Sequence, residues 1–562
     1  MSEDLQYPTR SYPYRARLDR AGPDPSRDLD VSFGESVETP DVPGLKARLV
    51  GVDPYAGRDI SPGELERLDD PLARLLLKRG TFPRTLQQLL DALNAFNGDP
   101  GGVPHQNVFF ISEWGQIPLN STTARYPRQI RYILTRGRNE IGAADILVST
   151  APPSDDAGIF LQVAAWDRTN EVFHFYERGL RTSTWFWAGS SWDALAPPTR
   201  GKGPFDSHVN GAPVMKERKE PWLHWHSISQ DIPRQNFPPG HPINRASEDA
   251  FVNQCQSAHL LQTQIVEPAV RRWTDARLRR VLGSSGIADP GALMRQVLTV
   301  TSVNIASARQ RSRSAEPDIE IPLTLLVDAE TLLKFLPDAP LIIVRVPRPL
   351  YEQAISTLQI SLRDTQQGFQ QAGDAFFAWA VPERAFEDIV VVEALVRRGV
   401  LSAQFATALL MIDFTNPIDS ARRAALMKHV PSVTVQATGT GGLQAKMLQS
   451  IEAAAGATGT NSEEAEIVRF MALREGDWQA EAERRVTALV DAVEARAKTR
   501  DGAIDYLRLA DSRRRAFRRN RHLAEFDLSL PFSSVADGAP AVELLPDGTV
   551  VQRPETTAPS AR

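Results

Sequence analysis

The spacing of apolar positions changes character along the chain. Leu65, Leu68, Leu72, Leu75 and Leu76 recur at helical intervals behind Ser61, a residue suited to capping, and a second helix is predicted near Thr85–Asn97. From Asn107 to about Ser191 the rhythm becomes that of strands. Asn107–Ile111, Gln129–Leu134 and Asp145–Ser149 are short apolar or alternating runs. Gly158–Trp166 and Glu171–Tyr176 flank Asp167-Arg168-Thr169-Asn170 as a hairpin with a four-residue loop, and Thr184–Gly189 is the next strand. An aromatic-rich antiparallel sheet is therefore predicted in the N-terminal half.

Beyond it, Pro197–Pro242 is punctuated by proline. A helix is predicted from Ser247, and Pro268 suits the first turn of another. Ile321–Val327 and Leu341–Val346 have strand character, and helices are expected near 349–378 and 387–412. Thr438-Gly439-Thr440-Gly441-Gly442 is a joint, followed by alanine- and arginine-rich helices to about His522. The fold class is α+β and multi-domain: an aromatic antiparallel β region, then a mixed and finally mainly helical C-terminal half. The expected divisions are an extended arm (1–60), a sheet domain (61–235), a mixed, mainly helical domain (236–437), a helical segment (438–530) and a polar tail (531–562).

Composition narrows the class further. At 562 residues with 42% hydrophobic content, the chain has material for several cores. A net charge of −5 argues against a non-specific nucleic-acid binder, which needs a basic excess to neutralise phosphates. The run Arg513-Arg514-Arg515-Ala516-Phe517-Arg518-Arg519-Asn520-Arg521-His522 is the strongest basic patch, and pairing with upstream glutamates is its expected role. The most apolar stretch, Ile389–Phe414, carries Glu393, Arg397, Arg398 and Asp413, each costing about 2.5–3.5 kcal/mol near a bilayer centre. Two packed helices meeting at Gly399 are predicted there instead of a membrane span. A lone cysteine, Cys255, and a polar N-terminus without signal-peptide character point to the reducing cytoplasm.

The chemistry concentrates in one place. Five of the nine histidines lie between His208 and His259, and seven of the ten tryptophans between Trp166 and Trp273. In Trp222-Leu223-His224-Trp225-His226, strand geometry would put both imidazoles on one side, as a pair of ligands for iron or zinc. His208 and His259 are the conditional further ligands, with Asp206 and Glu248 as possible carboxylate donors. Trp222 or Trp225 would shield the centre. Pro204 and Ser207 stand where covalent haem attachment needs cysteines, so only non-covalent haem fits. Cys255, one helical turn before His259, is either a nucleophile or a small buried apolar residue, and the second is the expectation. No Gly-x-Ser-x-Gly elbow and no phosphate-binding loop is present.

These features lead to the expectation of a metal- or haem-dependent oxidoreductase acting on a small molecule. The alternatives are a zinc hydrolase using the same ligands, or a non-catalytic binding or assembly protein with an aromatic recognition surface.

Overall fold

The computed structural model describes residues 41–553 apart from 97–104, 114–118, 122–123, 125–128, 138–143, 214–233, 257, 284–285, 307–316, 337–342, 365–368, 373–377 and 521–529. One compact unit reaches Ala276, and the second begins at Arg277.

The first unit is built on one mixed sheet. Its strands are β1 (Gly44–Ala47), β2 (His105–Glu113), β3 (Gln129–Gly137), β4 (Ala144–Thr150), β5 (Leu161–Asp167), β6 (Val172–Arg178), β7 (Thr184–Ser190) and β8 (Cys255–Gln256). Their spatial order is β1-β7-β6-β5-β4-β3-β2-β8. β2 to β7 form an antiparallel meander, and β1 and β8 close the two flanks in parallel. The predicted hairpin is β5–β6. Asp167 holds its loop by accepting from the backbone N–H groups of Thr169 and Asn170 at 2.8 and 2.9 Å.

β6 and β7 are buried along their whole length, because both faces of the sheet are covered. Tyr132, Tyr176, Trp185 and Trp187 share one core with Leu72, Leu76, Leu89, Phe237 and Ile243. On the other face, Arg272 of the helix Glu267–Val281 lies 4.4 Å over the Trp166 ring, and Phe205 meets Phe175 edge-on at 5.5 Å. Burying a large apolar side chain contributes about 1.5–3 kcal/mol, so the aromatic richness is that of a core. Phe173, Phe175, Tyr176, Trp185, Phe186 and Trp187 are all buried and form no recognition surface.

A polar network threads this core. Asp70 caps the turn Pro71–Ala73 and accepts from the Tyr176 hydroxyl. His174 accepts from the Trp187 indole N–H at 3.1 Å, and its other nitrogen faces Asp167 at 3.7 Å. Burial pushes the Asp70 carboxyl above its ordinary range. Burial also opposes ionisation of Asp167, yet the nearby His174 imidazole and bonds from Asn170 hold that carboxyl at about 2.

Several boundaries differ from the sequence pattern. Gly44–Ala47 form β1 of the sheet, and Ala47, Arg48 and Leu49 are buried, so the arm does not extend to residue 60. Leu65–Leu76 is broken into Pro62–Leu65, Pro71–Ala73 and a wide turn at Arg74–Lys78, because Asp70-Pro71 starts a new cap. Residues 237–255 pack into the first unit's core, which moves the division from 235/236 to 276/277.

The second unit has a single large core that runs from Leu278 to Leu544, so residues 438–530 are not a body of their own. Around it stand helices and two-stranded ribbons, among them Asp318–Ile321 with Val344–Pro347 and Val303–Ala306 with Val381–Arg384. The helix expected over 349–378 stops at Leu358. Gln359 takes a left-handed conformation there, and the ribbon Ser361–Asp364/Phe369–Ala372 follows. The apolar stretch after Ile389 forms two helices, Phe386–Arg397 and Ala403–Met411, parted at Gly399 (φ +70°). No helix among the described residues is long and apolar enough to cross a membrane.

As far as Asn520, the arginine run lies on the helix Arg500–Asn520. Arg513, Arg514 and Arg515 are buried, and backbone carbonyls are their main partners instead of the upstream glutamates. Arg514 donates to Ala378 O, Ala380 O and Pro531 O, Arg513 to Leu325 O and Thr415 O, and Arg515 to Ala539 O and Asp511. These three guanidinium groups are internal cross-links and offer no grip for phosphate.

Candidate functional site

The His-rich region begins on one face of the sheet. A short turn, Gly203–Asp206, leads to His208, whose ring stacks on Phe175 at 5.0 Å and 28°. Close packing fixes this stretch. Gly211 has φ +81°, and a Cβ there would lie 2.4 Å from Ser191 O. Asn210 O accepts from the Trp273 indole at 2.7 Å.

Residues 237–255 pack on the opposite face. Successive side chains of a strand alternate sides, so Phe175, beneath His208, points away from its neighbour Tyr176. Tyr176 shares its core with Tyr132, Phe237, Ile243 and the flanking Phe251 and Cys255. The Tyr132 and Phe251 rings lie 5.4 Å apart. Within this face stands Glu248, 1% exposed. Its Oε1 accepts from the Ser154 N–H at 3.2 Å. Oε2 and the adjacent Tyr132 hydroxyl are both buried and lie close enough to interact, and neither meets another partner among the described residues. Burial raises the Glu248 carboxyl above its ordinary range. Burial, and then the charge of Glu248, holds the Tyr132 hydroxyl far up as well.

This geometry sorts the residues expected from sequence. His208 and Glu248 stand on opposite sides of a sheet and cannot share one ion, since ligand bonds are only about 2 Å long. His208 therefore fails as a partner for Glu248. His259 does not face Cys255 along one helix. Cys255 is in β8, pairing with Val108, and a new helix starts at Ala258. The Cys255 thiol donates to Phe251 O at 3.1 Å, and burial pushes it up to about 12, which suits packing and not nucleophilic attack. His241, the fifth histidine, caps the turn at Pro242 by accepting from Ile243 N–H. Trp222, His224, Trp225, His226 and the His259 side chain lie outside the described residues. Among the described residues, no group of three or more His, Cys, Asp or Glu side chains could hold a metal ion.

Tyr132 escapes sequence reading. It sits in an alternating strand where a tyrosine is an ordinary core residue, and only the fold brings Glu248 beside it, 116 positions later in the sequence. Comparison with known proteins adds nothing to this geometry: no family model, no curated protein and no solved structure matches the chain.

Proposed function

We propose that the protein is a metal-dependent enzyme, an oxidoreductase of the non-haem iron type. Its ion would be held by His224 and His226 with Glu248 as the carboxylate. The observation that carries this reading is the Glu248 carboxyl, buried with one oxygen facing only the Tyr132 hydroxyl. Ionising a carboxyl there costs several kcal/mol unless a cation compensates, and a divalent ion beside Oε2 supplies that compensation. Two imidazoles and one carboxylate leave open positions for dioxygen and a small substrate. The same donors accept zinc, which would turn the chemistry to hydrolysis by activating a bound water.

The test is elemental analysis and an absorption spectrum of the purified chain, with Fe(II) and Zn(II) titrations of wild type, the double variant His224→Ala/His226→Ala, and Glu248→Gln. Stoichiometric iron that both variants lose is the expected result. Zinc alone selects hydrolysis, and a Soret band selects haem. A wild-type chain that takes up no metal overturns the proposal.

A further inference from the structure

Three elements of the second unit converge on a buried imidazole. His429 ends the turn Leu426–His429, Ser450 lies on the helix Leu443–Thr458, and Glu464 is in the first turn of the helix Glu463–Met471. His429 Nδ1 is 2.9 Å from Ser450 Oγ, and its Nε2 is 3.0 Å from Glu464 Oε1. Lys428 Nζ reaches the same Glu464 oxygen at 2.7 Å. Burial opposes ionisation of Glu464, but the bonds from Lys428 and His429 prevail and hold it at about 2, so it is an anion at neutral pH.

An ionised carboxylate can only accept hydrogen bonds. Nε2 therefore carries a proton toward Glu464, and in the neutral imidazole Nδ1 presents its lone pair to Ser450. The serine hydroxyl must then be the donor in the Ser450–His429 bond. A hydroxyl donating to a base that a carboxylate orients is the arrangement of an activated serine nucleophile, recognised by roles and not by sequence position. The two ring nitrogens exchange places relative to the protease template, which leaves the direction of proton flow unchanged. His429 and Glu464 are buried, whereas Ser450 is only half-buried.

We propose that Ser450, His429 and Glu464 form a second reactive site, independent of the metal reading, at which Ser450 is acylated by small activated esters. Ser450 Oγ bonds to the acyl carbon while its proton passes to His429 Nδ1, and that proton leaves on the departing alkoxide or phenoxide. Water then attacks the acyl-serine, gives a proton to Nδ1, and releases a carboxylic acid as Ser450 is reprotonated. Glu464 and Lys428 are positioning residues. Because Ser450 is inside a helix, the nearby N–H groups are engaged in helical bonds and do not form an oxyanion hole. The acyl donor must therefore carry a good leaving group.

The experiment is labelling of the full chain with a fluorophosphonate, read by intact mass and peptide mapping, beside hydrolysis of p-nitrophenyl acetate. We expect one adduct, on Ser450, that is absent from Ser450→Ala and lost in the urea-unfolded chain. His429→Gln should slow labelling about 100-fold or more, the size of a lost general base, and Glu464→Gln should slow it less. If His429→Gln does not fold, the folded-versus-unfolded comparison on wild type decides. No adduct on Ser450, or equal labelling of folded and unfolded chains, overturns the proposal.

Discussion

The two units meet the same problem, burial of polar groups, with different emphasis. In the first, long strand ladders satisfy much of the backbone, and several buried acids, a histidine and aromatic donors bond one another. Asp70 with Tyr176, Asp167 with Asn170, and His174 with Trp187 are of this kind. Among the described residues, the second unit's strands pair in two-stranded ribbons and the chain reverses often, which leaves carbonyls without ladder partners. Arginines fill that deficit, because each guanidinium carries five donors and no acceptor. Arg384 shows the same use, donating to Gln296 O and Thr299 O while paired with Asp328. The sheet unit uses the device too, at Arg178 and Arg272, but the second unit relies on it at Arg384, Arg513 and Arg514.

Breaking an arginine cross-link should have the largest effect. Arg514→Met removes the donor from three buried carbonyls, and a loss of about 3–5 kcal/mol in urea denaturation is expected. Next comes a contrast of sign with pH. Glu464 is depressed to about 2, so its contribution is complete above its ordinary value of 4.5 and lost as pH falls through about 2. Glu464→Gln should flatten that acid limb by about 2–3 kcal/mol. Asp70 is raised, so its contribution is complete below the ordinary 3.8 and lost as pH rises through its folded value, and Asp70→Asn should remove that loss. Tyr176→Phe, which strips Asp70 of its hydroxyl partner, should cost about 1–3 kcal/mol by the same assay. The smallest effect belongs to the exposed pair Arg422–Glu463, where Arg422→Ala should change stability by less than about 1 kcal/mol. A cost for Arg422→Ala that matched Arg514→Met would erase the contrast between buried cross-links and surface pairs.

Legibility followed the range of the forces involved. Alternation and turn chemistry located β2 to β7 and the Asp167–Asn170 loop, because both are local. β1 and β8 stayed hidden: four- and two-residue strands carry no period, and parallel flank pairing is a long-range choice. In the second unit Leu341–Val346 anticipated the strand Val344–Pro347, while the other four-residue ribbon strands carry no period. At the candidate site, sequence marked Glu248 as a possible donor. It could not show that the sheet divides Glu248 from His208, or that Tyr132 meets Glu248. Ser450, His429 and Glu464 carry no common motif and are joined only by the approach of two helices and a turn.

The sheet's flanks also set a schedule for synthesis. Among the described residues, the edge of β2 turned away from β3 is met only by β8, at Val108 and Phe109. Cys255 leaves the ribosome long after Glu113, roughly 7 to 28 s later at ordinary elongation rates. During that interval the meander can be complete while β2 still offers unpaired backbone groups. Such an edge is a template for pairing with another chain. The two residues of β8 add little to the finished fold's area, and their value lies in closing that edge once the rest of the unit has been made.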